Sequence, residues 1–368
     1  MFVYADQLYQ TLVELVGIPS TSGQEANVRM YIEQYLAQLG LKTRVDTFGN
    51  LIATIDGSGT PLLLNAHMDR VPPGLGHTPL LDDGILYSDG HTNLGADDAA
   101  GITIILEVLR RVTEQQLPIP PLVILFTVQE ETGLCGAHGF DSATLNVADG
   151  IVFDNAFEAG AVVSKGAAYD AFTITIHGKA GHPGKDLTGA IDAIEIFRQA
   201  NIPSNFGADD QTRMNIGKVS GGSARNAIAS SMVIEGELRS FESADKRQQY
   251  KAEIQEAFEE SARRLGGRIE ITFNTHNDGY SIHTDEPLLQ VYQTVLAERG
   301  EVLILKPTFI GSDTGGFRPQ IKAFTLSTGV VNEHTKDEYV ALAPLELIVM
   351  DTLHLLHQWR VQTTEHHA

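Results

Sequence analysis

The sequence predicts an α/β protein: a doubly wound, mostly parallel sheet in a larger domain, with a smaller α+β domain inserted into it. Three observations carry this reading. Runs such as "PLLLNAHMD", "PLVILFTV" and "DGIVFDN" are almost continuously apolar, as strands covered on both faces are, and they alternate with segments of helical spacing. Near Tyr169 the pattern changes, and "AYDAFTITIHG" and "SSMVIEGELRSF" alternate apolar and polar residues like half-buried antiparallel strands. After Ser281 the chain returns to helix and buried strand. Residues 168–281 therefore read as the insertion, and 1–167 with 282–368 as one discontinuous domain.

In chain order, helical spacing covers about Ala5 to Val16 and Gln24 to Leu39, followed by strand-like "LKTRVDTF", "NLIATID" and "PLLLNAHMD". A loop rich in Gly, Pro and Asp runs from Arg70 to Asp98, and loops of that length in compact domains are often functional. "AAGITIILEVLRRV" is helical in spacing. Inside the insertion, a segment near Gly189 to Ala200 and the amphipathic "DKRQQYKAEIQEAFEESARRLG" read as helices, and "MNIGKVSGG" and "RIEITFNT" as strands. The chain closes with helix "EPLLQVYQTVLAERG", strand "IKAFTLSTG" and the long helix "APLELIVMDTLHLLHQWR".

Composition narrows the function. The 368 residues include 26 Lys and Arg against 47 Asp and Glu, a formal net charge of -21. Such a surface repels phosphate backbones, which argues against nucleic acid as a partner. A single cysteine, Cys135, excludes an intrachain disulfide. The N-terminus lacks the basic start and apolar run of a signal peptide, and no stretch approaches the ~20 apolar residues of a membrane span. A soluble cytoplasmic protein without a membrane partner is the expectation.

Functional groups of a doubly wound sheet gather at the carboxyl ends of its strands. Here those ends carry His67 and Asp69 ("NAHMDR"), Asp97 and Asp98 ("LGADDAAG"), Glu130 and Glu131 ("TVQEETG") and Asp154 ("VFDNA"), and His334 ("STGVVNEHTKDEY") follows a later strand. Singly, each has a plain explanation: a polar loop histidine, a solvated acidic pair, or Asp97 as the cap of the helix beginning near Ala99. Jointly they outnumber what turn chemistry requires. Imidazoles and carboxylates without a thiolate suit Zn²⁺, Mn²⁺ or Co²⁺. So many acids suit two ions, roughly 3.5–4 Å apart and bridged by a carboxylate. One of Glu130 and Glu131 would then be a ligand and the other a general base.

The set "HMD", "LGADDAAG", "EETGLCGA", "GKAGHPG", "GSD" and "NEHTKDEY", in that order along nearly the whole chain, resembles the M20 metallopeptidase family, most closely its peptidase T-like branch of tripeptide aminopeptidases. The resemblance implies two zinc ions. It implies His67 and Asp154 as ligands of one ion, Glu131 and His334 as ligands of the other, and Asp97 as the bridge, followed by a cis peptide bond. It further implies Glu130 as general base, Asp69 as the acid orienting His67, and the insertion as a lid or dimerisation domain. In that domain His182 would approach the scissile carbonyl, and Arg225 and Asn226 would touch substrate. Arg318 and Arg239 are further candidates for a substrate carboxylate. The sequence departs from the family at Ala99, where lysine is common, at the residue after Asn226, where proline is common, and at Asn155, where a small residue is usual. These leave the metal set intact and bear on substrate preference.

The implied reaction is hydrolysis of a short peptide at its N-terminal residue, with Glu130 taking a proton from the attacking water and returning it to the leaving amine. A carboxypeptidase or N-acyl-amino-acid amidohydrolase on the same site is the alternative within the class. A silent binding protein is disfavoured by the presence of Glu130 with every ligand. A structural Ca²⁺ or Mg²⁺ site is disfavoured by two imidazoles.

Overall fold

The structure is a computed structural model that describes residues 3–73, 77–155, 157–185, 189–202, 205–206, 211–318 and 320–365. The chain divides into two compact units, Met1–Lys165 with Ser281–Ala368, and Gly166–Tyr280.

The first unit is built on one sheet. Its strands lie in the order Thr43–Val45, Leu51–Ile55, Leu122–Thr127, Leu62–His67, Asp149–Asp154, Lys322–Ser327, Val162–Gly166. The four from Leu122–Thr127 to Lys322–Ser327 are mutually parallel, and the flanking pairs are antiparallel. Residues of the central strands point alternately to two cores. Leu62, Leu64, Ile124 and Phe126 face the cluster formed with helices Val3–Val16, Ala96–Gln115, Pro287–Glu298 and Leu342–Glu365. Leu63, Val123, Leu125 and Val152 face a smaller cluster with Leu134, Ala137 and Phe317, from the short helices Cys135–Gly139 and Asp313–Phe317. Burial on both faces explains the unbroken apolar runs, and each fully buried aliphatic or aromatic side chain contributes about 1.5–3 kcal/mol.

The parallel register is what positions the site. His67 stands level with Thr127, and Asp154 with Ser327, so their strands end together at one edge. Two expectations need correction here. Glu130 and Glu131 do not end the strand: it stops at Thr127, and both acids occupy the turn before Cys135–Gly139. The stretch between Arg70 and Asp98 is also not a bare loop. Strands Leu80–Asp82 and Ile85–Tyr87 form a hairpin, and Tyr339–Ala341 adds a third strand. Three-residue strands, one of them from a segment far along the chain, leave no period-two pattern to read.

The second unit is an antiparallel sheet in the order Asn205–Phe206, Thr212–Gly221, Ser231–Ser240, Ala168–His177, Arg268–Asn277. Helices Ala193–Gln199 and Ala244–Leu265 pack on it through Ile196, Tyr250, Ile254 and Phe258, against Phe172, Ile174 and Ile176. Ser243 caps the longer helix by accepting from the Lys246 N–H, and Gly266 ends it in the left-handed region at φ 81°. Asp170, fully buried, receives Arg247 Nε at 3.1 Å and Lys251 Nζ at 2.6 Å from that helix. Among the described residues no helix is long and apolar enough to cross a membrane.

Removing one partner of a buried ion pair leaves an uncompensated charge. Asp170→Ala should therefore destabilise the protein by about 3–5 kcal/mol, read as a lower denaturation midpoint in chemical unfolding. A midpoint equal to wild type would show that Arg247 and Lys251 find other partners.

Candidate metal centre

His67 closes the strand Leu62–His67 and is 3% exposed. Its Nδ1 donates to the backbone carbonyl of Asp69 at 3.0 Å, with Asp69 Oδ1 at 3.4 Å. That leaves Nε2 facing Asp97 Oδ1 at 3.5 Å and Asp154 Oδ1 at 3.8 Å. Asp97 turns its other oxygen, Oδ2, to Nε2 of His334 at 3.3 Å, and Glu131 Oε1 lies 2.9 Å from the same nitrogen. The ligand atoms of His67, Asp97 and Asp154 lie within 4.8 Å of one another, as do those of Asp97, Glu131 and His334, and a third such group joins His67, Glu130 and Glu131. The first two groups share Asp97, one oxygen toward each imidazole.

Backbone geometry holds these acids in place. The Asp97–Asp98 peptide is cis. Asp97 and Asp98 both have non-helical φ and ψ, and it is the Asp98 carboxylate, not that of Asp97, that accepts the Gly101 N–H where the regular helix begins, together with the His67 N–H. Asp69 does more than orient His67. Its carboxylate accepts the N–H of Glu130 at 2.9 Å, the N–H of Glu131 at 3.2 Å and the Ser22 hydroxyl at 2.7 Å, which pins the acidic turn to the neighbouring strand end.

The electrostatics are unbalanced without cations. Burial pushes the carboxyls of Glu130 and Asp154 well above the usual range; His67 pulls them back, and neighbouring acids push them further up. Asp97 goes the other way, to about 2, because His334 and His67 outweigh its burial. His67 is raised although burial opposes it, through Asp69 and Asp97. His334 is raised to about 10 by Asp97 and Glu131. Two imidazoles thus borrow protons to offset a set of acids, a task divalent ions perform better. Oδ1 of Asp97 is buried and has no hydrogen-bond partner, an orphan suited to a metal ion. The imidazole and carboxylate donors fit Zn²⁺, Mn²⁺ or Co²⁺.

The pattern agrees with a known family. The profile of peptidase family M20/M25/M40 matches residues 63–355. The chain belongs to this family. It is 28% identical over 351 residues to the uncharacterized protein YqjE of Bacillus subtilis, covering 92% of this chain and 94% of YqjE. Among solved structures it is similar to a tripeptidase, SAV1512 of Staphylococcus aureus, with a TM-score of 0.90, 29% identity and coverage of 97% and 99% of the two chains. It is also similar to the aminopeptidase PepT of Bacillus cereus, with a TM-score of 0.85, 27% identity and coverage of 96% and 98%. These neighbours support the peptidase T-like branch. More distant curated relatives of this M20 peptidase include an acetylornithine deacetylase of Shigella sonnei, 24% identical over 95% of this chain and 96% of its own, and a probable carboxypeptidase of Emericella nidulans, 26% identical over 62% and 63%.

The remaining candidates are outside these ligand groups. His182, Arg225 and Asn226 belong to the second unit and are exposed there, His182 Nδ1 accepting the Gly184 N–H at 3.1 Å. Arg239, also in that unit, lies over the Tyr169 ring and pairs with Glu237. Arg318 has structural work: it donates to the carbonyls of Ala323 and Ser281 and pairs with Glu286 at 2.7 Å. Sequence reading missed Glu338 and Asp313. Both are 1% exposed, and both sit inside motifs already singled out, "NEHTKDEY" and "GSD".

A metal ion takes only neutral imidazole. In the metal-free protein His334 keeps its proton up to about pH 10, so its contribution to stability is complete below 6.5 and is lost as pH rises through about 10. Metal affinity should accordingly increase with pH across about 6 to 9, with protons released on binding. Titration of the chelated protein with Zn²⁺ in two buffers of different ionisation enthalpy measures that release; affinity independent of pH would contradict it.

Proposed function

We propose that this M20 peptidase is a two-metal exopeptidase that hydrolyses short peptides, tripeptides foremost, at the N-terminal residue, with zinc as its metal. The observation that carries the reading is Asp97, whose two carboxylate oxygens face two different imidazoles in two overlapping ligand groups. In this reading His67 and Asp154 hold one ion, Glu131 and His334 the other, and Asp97 both. Bound there, the ions would polarise the scissile carbonyl and lower the pKa of water.

The chain's own contribution is proton transfer and placement. Glu130 is buried, its carboxyl raised by burial and by the acids around it, and its backbone N–H fixed on Asp69. A carboxylate so placed accepts a proton from the attacking water at one oxygen and delivers it to the departing amine. Nearby cations would lower its affinity for protons and burial raises it, which draws its pKa toward the working pH. The same acids favour an ammonium group on the substrate over a carboxylate. With the likeness to a tripeptidase and an aminopeptidase, this supports release of the N-terminal residue. A cytoplasmic setting suits short peptides and a chain with one cysteine.

Carboxypeptidase or deacylase action on the same centre is the second reading, favoured by the relatives with those names. One tripeptide in free, N-acetylated and C-amidated forms separates the two. We expect N-acetylation to lower kcat/KM ten-fold or more, on the order of 1.4 kcal/mol, and C-amidation to cost no more than that. Full activity on the N-acetyl peptide with release of its last residue would establish the second reading instead.

Glu130→Gln should reduce turnover by at least ~10²–10⁴-fold while leaving metal content nearly intact, and Glu131→Gln should weaken one ion. Metal analysis beside kinetics checks both, and the opposite pattern would exchange the two roles.

A further inference from the structure

Glu338 lies outside every metal-ligand group, yet it holds the segment that carries Asp97. It is 1% exposed. Its Oε2 accepts the Gly95 N–H at 2.8 Å, and its Oε1 accepts the N–H groups of Ala96 at 2.8 Å and Asp97 at 3.2 Å. These donors belong to the turn that leads into the regular helix, where Asp97 and Asp98 have non-helical φ and ψ and Gly95 has no side chain to satisfy them. The carboxylate comes from 241 residues away in sequence to do so.

Two further contacts make this more than a helix cap. Glu338 and His334 share one loop, closed by paired backbone bonds between Val331 and Tyr339, at 2.9 and 3.0 Å. Holding Asp97 from Glu338 therefore ties the His334 loop to the Asp97 segment. Against the same segment stands Arg70, which follows Asp69 at the end of the His67 strand. A Cβ at Gly95 would meet Arg70 Cδ at 2.7 Å and Nη1 at 2.8 Å. Arg70 is itself anchored on the carbonyls of Leu15 and Val16. The Gly95–Asp97 backbone is thus bonded to a buried carboxylate and, at Gly95, packed against an anchored guanidinium.

We propose that Glu338 is a positioning residue: it locks the Asp97 segment to the His334 loop and so sets the separation at which these two side chains can share one metal ion. This rests on the two-metal reading above. It assigns Glu338 no contact with substrate or with the ions.

The test uses the full-length protein, stripped of metal and titrated with Co²⁺, whose visible absorption reports ligand geometry. Wild type should bind two ions. Glu338→Ala should lose at least ten-fold in affinity for one of them and shift the absorption bands. Glu338→Gln keeps an oxygen for Ala96 and Asp97 but turns an amide N–H toward that of Gly95, so it should fall between. Gly95→Ala leaves Glu338 in place and pushes the segment off Arg70; it should reproduce the defect, which keeps the test decisive if Glu338→Ala does not fold. Two ions bound by Glu338→Gln and Gly95→Ala with wild-type affinity and spectra, whatever their melting temperatures, would reduce Glu338 to a helix cap and overturn the proposal alone. Wild type that binds no Co²⁺ would overturn the two-metal reading and this inference with it.

Discussion

Carboxylates crowd one edge of a parallel sheet in this protein, and their mutual repulsion is the constraint that organises the structure around them. Asp97, Glu130 and Asp154 are buried. Ionised and unpaired in that setting, each would cost several kcal/mol. The chain answers locally with hydrogen bonds wherever backbone N–H groups can be brought up: two to Asp69 from the acidic turn, two to Asp98 and three to Glu338. The acids satisfied in this way lie around the ligand groups. The ones within those groups keep oxygens directed at imidazole nitrogens, and Asp97 keeps one with no partner. Asp69, Asp98 and Glu338 are thus satisfied largely by backbone N–H groups, whereas Asp97, Glu131 and Asp154 turn toward imidazoles, with Asp154 Oδ1 also accepting the Asn155 N–H at 2.6 Å.

The sheet makes the crowding possible. Four parallel strands deliver their ends to one edge in register, and parallel strands need both faces covered. The two apolar clusters on either side of the sheet therefore stabilise the fold and also exclude water from around the strand ends. The low polarity that strengthens every charge interaction at the site is a by-product of the packing that forms the sheet.

How much of this could be read in the sequence follows from how local each feature is. The central strands were legible because two-sided burial writes itself as unbroken apolar runs, and polar residues at the ends of such runs stand out. His67, Asp97, Glu131, Asp154 and His334 came from that contrast and from motif resemblance, and the structure brings them together. The hairpin between Arg70 and Asp98 was not legible, since three-residue strands carry no period. The grip of Asp69 on the acidic turn and of Glu338 on the Asp97 segment joins points far apart in sequence, and an acid bonded to a distant backbone looks in sequence like any surface acid. The Arg318–Glu286 ion pair is of the same kind, since its two residues lie on different segments.

The insertion has a consequence for the order in which the protein can be made. Asp154 pairs in register with Ser327, and the Gly166–Tyr280 unit intervenes between them. A chain emerging from the ribosome exposes His67, Asp97, Glu130, Glu131 and Asp154 long before the strand Lys322–Ser327 or the loop of His334 and Glu338 exists. Its acidic edge must stay open to water until those later segments are synthesised. Pairings of such high sequence separation form slowly. The inserted unit, with its own core and its own strand pairings, can fold while the larger sheet waits. Assembly of the candidate ligand groups therefore waits for segments made after the inserted unit.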